Sequence, residues 1–122
     1  MLGYADAVKK KGLSLLSAPG NDLVASTALT AAGAHIILFT TGRGTPFGAP
    51  APTVKISTNT ALYEKKGNWI DFNAGTVAQG EDLDAAGDRL LDYVLRVASC
   101  ERTKAEEHGA REISIFKDGV VL

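Results

Sequence analysis

Only one cysteine, Cys100, stands among 122 residues. That excludes an internal disulfide and fits a reducing cytoplasm. No apolar run approaches the roughly 18 residues that a transmembrane helix needs. Neither charge sign dominates: 13 Lys and Arg face 14 Asp and Glu, for a net charge of −1. The balance removes the electrostatic case for nucleic acid or an anionic membrane as partner. The first residues, with Asp6 and lysines at 9, 10 and 11, lack the apolar segment of a signal peptide. Histidine is scarce, at two residues, and neither has metal-ligand spacing to anything nearby. No internal repeat or low-complexity tract interrupts the chain.

What is present is an ordinary globular composition, 45% hydrophobic and 22% charged, in a chain long enough to bury a core as one domain. Residues 1–11 read as a polar surface lead-in. The run at 12–17 (Gly-Leu-Ser-Leu-Leu-Ser) predicts a strand, stopped by Ala18-Pro19-Gly20. Asn21 or Asp22 caps a small-sided helix over 22–32, with Gly33 as its terminator. Residues 35–40 form the next strand, parallel to the first by the β-α-β order. Residues 53–58 alternate and are β-branched, a third strand. A short helix over 61–66, capped from Asn59-Thr60, precedes a strand at 69–72. Residues 81–99 carry the clearest amphipathic helix, 100–110 add a charged segment with an extra helical turn, and 111–116 alternate as a last strand. The pattern β-α-β-β-α-β-α-β predicts an α/β domain: an open, mainly parallel sheet flanked by helices, three-layered and Rossmann-like.

The residues from Thr40 to Gly48 (Thr-Thr-Gly-Arg-Gly-Thr-Pro-Phe-Gly) then stand out. An apolar strand running into a polar, Gly-rich loop is how α/β proteins place ligand groups at the carboxyl edge of a sheet. The loop fails both phosphate motifs. No lysine follows Gly44 or Gly48 as a Walker A loop needs, and Phe47 occupies the third glycine position of a dinucleotide fingerprint. Pro50 and Pro52 also stand where the anion-binding helix would begin. A carboxylate is a better match. Arg43 between two glycines offers an unhindered planar fork, and Thr40, Thr41 and Thr45 offer hydroxyls to a polyhydroxylated ligand. The alternative reading is a tight surface turn with a solvated arginine.

Two further turns fall on the same sheet edge. Asn21 and Asp22 follow the first predicted strand, and Thr58 and Asn59 follow the third; each pair reads as ligand groups or as a helix cap. Asp71 reads as a strand-edge residue, and His35 as structural. No Ser-His-Asp, Cys-His or paired-carboxylate set is legible, so the catalytic residues are unassigned.

Five segments together carry a family resemblance. Gly20-Asn21-Asp22-Leu23-Val24, the run from Leu38 to Gly48, the run from Pro52 to Asn59, Trp69-Ile70-Asp71-Phe72-Asn73-Ala74-Gly75, and the run from Arg111 to Val120 occur in that order. The chain resembles the C-terminal domain of the altronate/galactarate dehydratase family, with the Trp-Ile-Asp-Phe-Asn-Ala-Gly segment leaning toward the altronate branch. The resemblance implies a cytoplasmic hydro-lyase of sugar-acid catabolism, converting a D-altronate-like aldonate into a 2-keto-3-deoxy acid and water. It also implies a divalent metal, iron or manganese, in the full-length enzyme, none of it held by this domain alone. The partners implied are the sugar acid, the remaining domains of the enzyme and a second copy of the chain. Arg43 would hold the carboxylate, with Thr40, Thr41, Gly42, Gly44 and Thr45 shaping the pocket and Asn21, Asp22, Thr58 and Asn59 as further contacts. The isolated fragment is expected to be inactive. The alternatives are a structural or assembly domain and a small-ligand binding module; nucleotide binding ranks last.

Overall fold

In the computed structural model, residues 1–4 and 6–114 are described. Three parallel strands, β1 (Ile37–Thr41), β2 (Thr53–Ser57) and β3 (Phe72–Asn73), form a sheet in the order β1-β2-β3. Helices α1 (Asp22–Ala31), α2 (Thr60–Lys65), α3 (Leu83–Ala98) and α4 (Lys104–Glu107) flank it, with a single 3-10 turn at Val77–Gln79. The architecture is therefore α/β with an open parallel sheet, as the alternation predicted. No helix among the described residues is long and apolar enough to cross a membrane.

Each helix starts where a side chain can take up its unpaired amides. Asn21 accepts from the amides of Leu23 and Val24 at the start of α1, Asn59 from Leu62 in α2, and Asp82 from Ala85 in α3. Thr103 and Glu106 form a reciprocal capping box on α4. Beyond α1, Gly33 takes φ +109, a left-handed conformation that glycine adopts without penalty.

β2 is central, and all five of its residues are buried. Because strand side chains alternate between faces, Val54 and Ile56 join Phe72 and Val97 in one core cluster, against Leu90 and Tyr93 of α3. A second cluster gathers Ile37, Phe47, Ala49 and Ala51 with Leu23 of α1 and Phe39. The sheet is thus covered by α3 on one side and by α1 with the 45–51 segment on the other.

Three expectations are corrected. Residues 12–17 form no strand. Among the described residues their backbone pairs with Leu2, whose amide donates to the Leu15 carbonyl at 2.7 Å while Ser17 donates back to Leu2 at 2.9 Å. With no sheet face to cover, Leu13 and Leu15 stay 95% and 63% exposed. The strand expected at 69–72 begins instead at Phe72, because the amides of Trp69 and Ile70 turn back onto the Lys66 carbonyl and close α2. Residues 111–114 form no strand either. The Glu112 amide donates to the Gly48 carbonyl at 2.7 Å, and the Ser114 amide to the Thr27 hydroxyl at 3.1 Å; the rest of that predicted strand lies outside the described residues.

Candidate functional site: a braced loop at the carboxyl edge

The strand register pairs Thr41 with Ser57 and Ser57 with Asn73. The segments leaving all three strands therefore share the carboxyl edge of the sheet. Gly75 brings two of them into backbone contact: a Cβ there would lie 2.3 Å from the Thr60 nitrogen and 2.5 Å from the Asn59 carbonyl carbon.

The loop after β1 is held from within by its neighbours. Thr41 Oγ1 accepts from the Gly44 amide at 2.9 Å, an ST-turn that folds the loop back on its own start. Asn59 works in two directions: Oδ1 caps α2 at 2.8 Å while Nδ2 donates to the Gly42 carbonyl at 3.2 Å. The Thr58 amide donates to the Thr41 carbonyl at 3.0 Å. Lys66 Nζ donates to the Arg43 carbonyl at 3.0 Å and sits 4.9 Å from the Trp69 ring centre. Lys55 Nζ donates to the Thr45 carbonyl at 3.1 Å. Three of four successive carbonyls, at 42, 43 and 45, are thus taken by side-chain donors.

The far end of the loop is anchored in the core. Phe47 is 4% exposed and meets Phe39 edge to face at 5.0 Å. Gly48 lies so close to Ala110 that a Cβ would fall 2.5 Å from its carbonyl oxygen; the Gly48 amide donates to Glu112 Oε2 at 2.8 Å. Phe47, which broke the dinucleotide fingerprint, is therefore a core residue and is not free to serve as an interface contact.

Beside β2 lies a buried polar network. Asp71 is 9% exposed. Its Oδ2 accepts from the Lys55 amide at 2.8 Å, and its Oδ1 from the Lys104 amide at 2.8 Å and the Tyr93 hydroxyl at 3.0 Å. Burial pulls the Lys55 ammonium below the usual lysine range, opposed by the charges of Asp71 and Glu112. Burial likewise raises Tyr93 above the ordinary phenol value, with the charge of Asp71 and the bond to it adding to the rise.

Of the residues expected at the site, Thr41, Gly42, Gly44, Thr45, Thr58 and Asn59 come together around the loop, and Arg43 projects from it. The Arg43 side chain is exposed and has no hydrogen bond or ion pair among the described residues. Arg89, by contrast, is tied to Glu81 at 2.7 Å. Thr40 lies on β1 with an exposed side chain. Asn21 is occupied as the α1 cap, and no hydrogen bond links it or Asp22 to the loop. A cleft of about 800 Å³ lies elsewhere, between α2, β3 and α3, lined by Tyr63, Phe72, Arg89 and Tyr93 among others. It is widely open and contains no loop residue. The cation of the loop has no partner among the described residues, whereas Arg89 is neutralised by Glu81.

Sequence reasoning missed Lys55, Lys66 and Glu112, and read Asp71 as a strand-edge residue. The available signal was a lysine inside the β-branched run Thr-Val-Lys-Ile-Ser: a charge buried in a central strand needs partners. For a metal, the donor set does not fit. Among the described residues no three His, Cys, Asp or Glu side chains gather; His35 is exposed, and His108 Nε2 meets the Asn68 carbonyl at 3.0 Å.

Comparisons with known proteins agree with the resemblance. The family model described as D-galactarate/Altronate dehydratase, C-terminal, matches residues 1–121. The altronate dehydratase of Bacillus subtilis (strain 168) is 54% identical over 123 aligned residues, covering 100% of this chain and 25% of that protein. The altronate dehydratase of Escherichia coli (strain K12) is 48% identical, again over 100% of this chain and 25% of the relative. The galactarate dehydratase (L-threo-forming) of the same strain is 36% identical over 92% of this chain and 22% of its own length. The chain spans about a quarter of the length of these curated relatives. It belongs to the D-galactarate/altronate dehydratase C-terminal family.

Proposed function

We propose that this chain serves as the C-terminal domain of a sugar-acid dehydratase and supplies that enzyme's carboxylate- and hydroxyl-facing loop. The observation that carries the reading is Arg43: a guanidinium with no partner among the described residues, on a loop whose carbonyls at 42, 43 and 45 are already taken by side-chain donors. The amides of Gly42, Arg43 and Thr45 have no hydrogen-bond partner among the described residues. Three loop amides and the guanidinium are thus left to donate, which suits an anion.

The reaction is the conversion of a D-altronate-like aldonate into a 2-keto-3-deoxy acid and water. A proton leaves the carbon next to the carboxylate, the neighbouring hydroxyl departs, and charge accumulates on the carboxylate oxygens on the way. Arg43 binds that carboxylate in a bidentate fork and stabilises the added charge, while the Thr41–Thr45 turn fixes where the fork stands. Iron or manganese, as the resemblance implies, belongs to the full-length enzyme in this proposal, and its ligands come from outside this donor set.

A second reading, an assembly domain, draws on α3, where Leu83, Leu91 and Leu95 are 70%, 56% and 55% exposed. The readings separate experimentally. The full-length protein carrying this domain is assayed for dehydration of a panel of aldonates and aldarates, with and without added iron or manganese. Turnover that falls on mutation of Arg43 in an assembled enzyme supports the dehydratase loop; loss of assembly before loss of turnover supports the assembly role. Absence of dehydration across the panel would overturn the catalytic reading.

A further inference from the structure

A lysine in the middle of a central strand is an expensive way to fill a core. Lys55 is 2% exposed, flanked by Val54 and Ile56, and a methionine of similar length would need no partner there. Its ammonium makes one hydrogen bond among the described residues, to the Thr45 carbonyl at 3.1 Å. The carboxylates whose charge offsets its burial, Asp71 and Glu112, are themselves bonded to backbone. Asp71 holds the Lys55 and Lys104 amides, and Glu112 holds the Gly48 amide at 2.8 Å. The two ends of the 45–48 segment are thus each held by a charged side chain through a main-chain group: the Thr45 carbonyl by the buried Lys55 and the Gly48 amide by Glu112.

From this we infer that Lys55 is a positioning residue for Arg43. It lies under the loop, acts through Thr45, and fixes the height of that residue's carbonyl over β2, two residues beyond Arg43. Lys66 and Asn59 hold the carbonyls of Arg43 and Gly42 from the side, so removing Lys55 frees the loop on its inner side alone. The inference rests on the proposed role of Arg43 in binding carboxylate.

The test is a double-mutant cycle in the full-length protein, with Lys55→Met, Arg43→Ala and the pair compared for kcat/KM on the sugar acid that the wild type dehydrates. A residue that acts through Arg43 loses its effect once Arg43 is gone. Lys55→Met is expected to lower kcat/KM by about tenfold alone, since a small misplacement of a binding group is costly. In the Arg43→Ala background the same change is expected to matter by less than about twofold. An equal factor in both backgrounds, or no effect in either, overturns the inference. Hydrogen exchange gives a readout independent of turnover. The Gly44 amide, bonded to Thr41 Oγ1, and the Gly48 amide, bonded to Glu112, exchange about tenfold faster in Lys55→Met if the brace is real; wild-type exchange at both overturns it. Where Lys55→Met fails to fold, Lys55→Gln, one bond too short to reach Thr45, is read in the same two ways. Should Arg43→Ala leave kcat/KM unchanged, the carboxylate reading fails, and exchange at Gly44 and Gly48 alone decides for or against the brace.

Discussion

Replacing Asp71 by asparagine keeps the shape of the side chain and removes its charge, which makes it a sharp test of the buried network. The carboxylate accepts three hydrogen bonds: two on Oδ1, from Tyr93 and Lys104, and one on Oδ2, from Lys55. An asparagine can present only one oxygen. In its better orientation it keeps the two bonds to Oδ1 and turns an NH2 group onto the buried Lys55 amide. One main-chain donor is then unsatisfied, at a cost of about 1–3 kcal/mol, and the two remaining bonds lose their charge assistance. The Lys55 ammonium also loses a favourable charge. The expected total is about 2–4 kcal/mol, a large fraction of the stability of a domain this size. Urea unfolding of the chain, followed through its single tryptophan, Trp69, measures the loss as a shift in midpoint at constant slope. Tyr93→Phe removes one of the three bonds and is expected to cost about 1 kcal/mol. An Asp71→Asn loss no larger than that of Tyr93→Phe would refute the three-donor arrangement.

Three other substitutions probe the carboxyl edge and the β3–α3 corner. Gly75→Ala places a methyl group 2.3 Å from the Thr60 nitrogen, and because the obstacle is backbone the change should cost about 3 kcal/mol or more. Gly42→Ala meets only the Thr58 hydroxyl at 3.4 Å and should cost less than about 1 kcal/mol, both read by the same urea unfolding. At the corner, bonds from Arg89 and then Thr76 hold the Glu81 carboxyl below its usual 4.5. A carboxyl whose folded value is depressed adds stability that is fully present above its unfolded value and lost as pH falls through the folded one. The stability difference between wild type and Glu81→Gln should therefore shrink steadily as pH drops below 4.5; a difference unchanged down to acid unfolding would contradict the pairing.

What the sequence made legible was whatever local chemistry decides. The caps Asn21 and Asn59 sit where a short acceptor precedes a helical run, and α1 and α2 begin there. The Ile37–Thr41 and Thr53–Ser57 strands follow from apolar and β-branched runs, and their parallel pairing put the loop and Asn59 on one edge. The misses have non-local causes. Leu13, Leu15 and Leu16 look like a strand, yet a strand needs a sheet edge and a face to cover, and the segment pairs with Leu2 instead. Trp69 and Ile70 have strand chemistry but are claimed by the end of α2. The bracing of the loop was invisible because Lys55, Lys66 and Glu112 reach it across separations of 10, 23 and 64 residues, and no local pattern encodes those meetings. Arg43 drew notice in the sequence because two glycines flank it, and its side chain is exposed.

The most direct test of the central claim is the kinetics of Arg43 variants in the full-length protein, with a sugar acid as substrate and 2-keto-3-deoxy acid formation as the readout. Exchanging the bidentate fork for a point charge in Arg43→Lys should lower kcat/KM by about 10- to 150-fold, the equivalent of about 1.5–3 kcal/mol of charge-assisted bonding. Arg43→Ala should lower it further, with the protein still folded and assembled. Wild-type kcat/KM in Arg43→Ala would contradict the account.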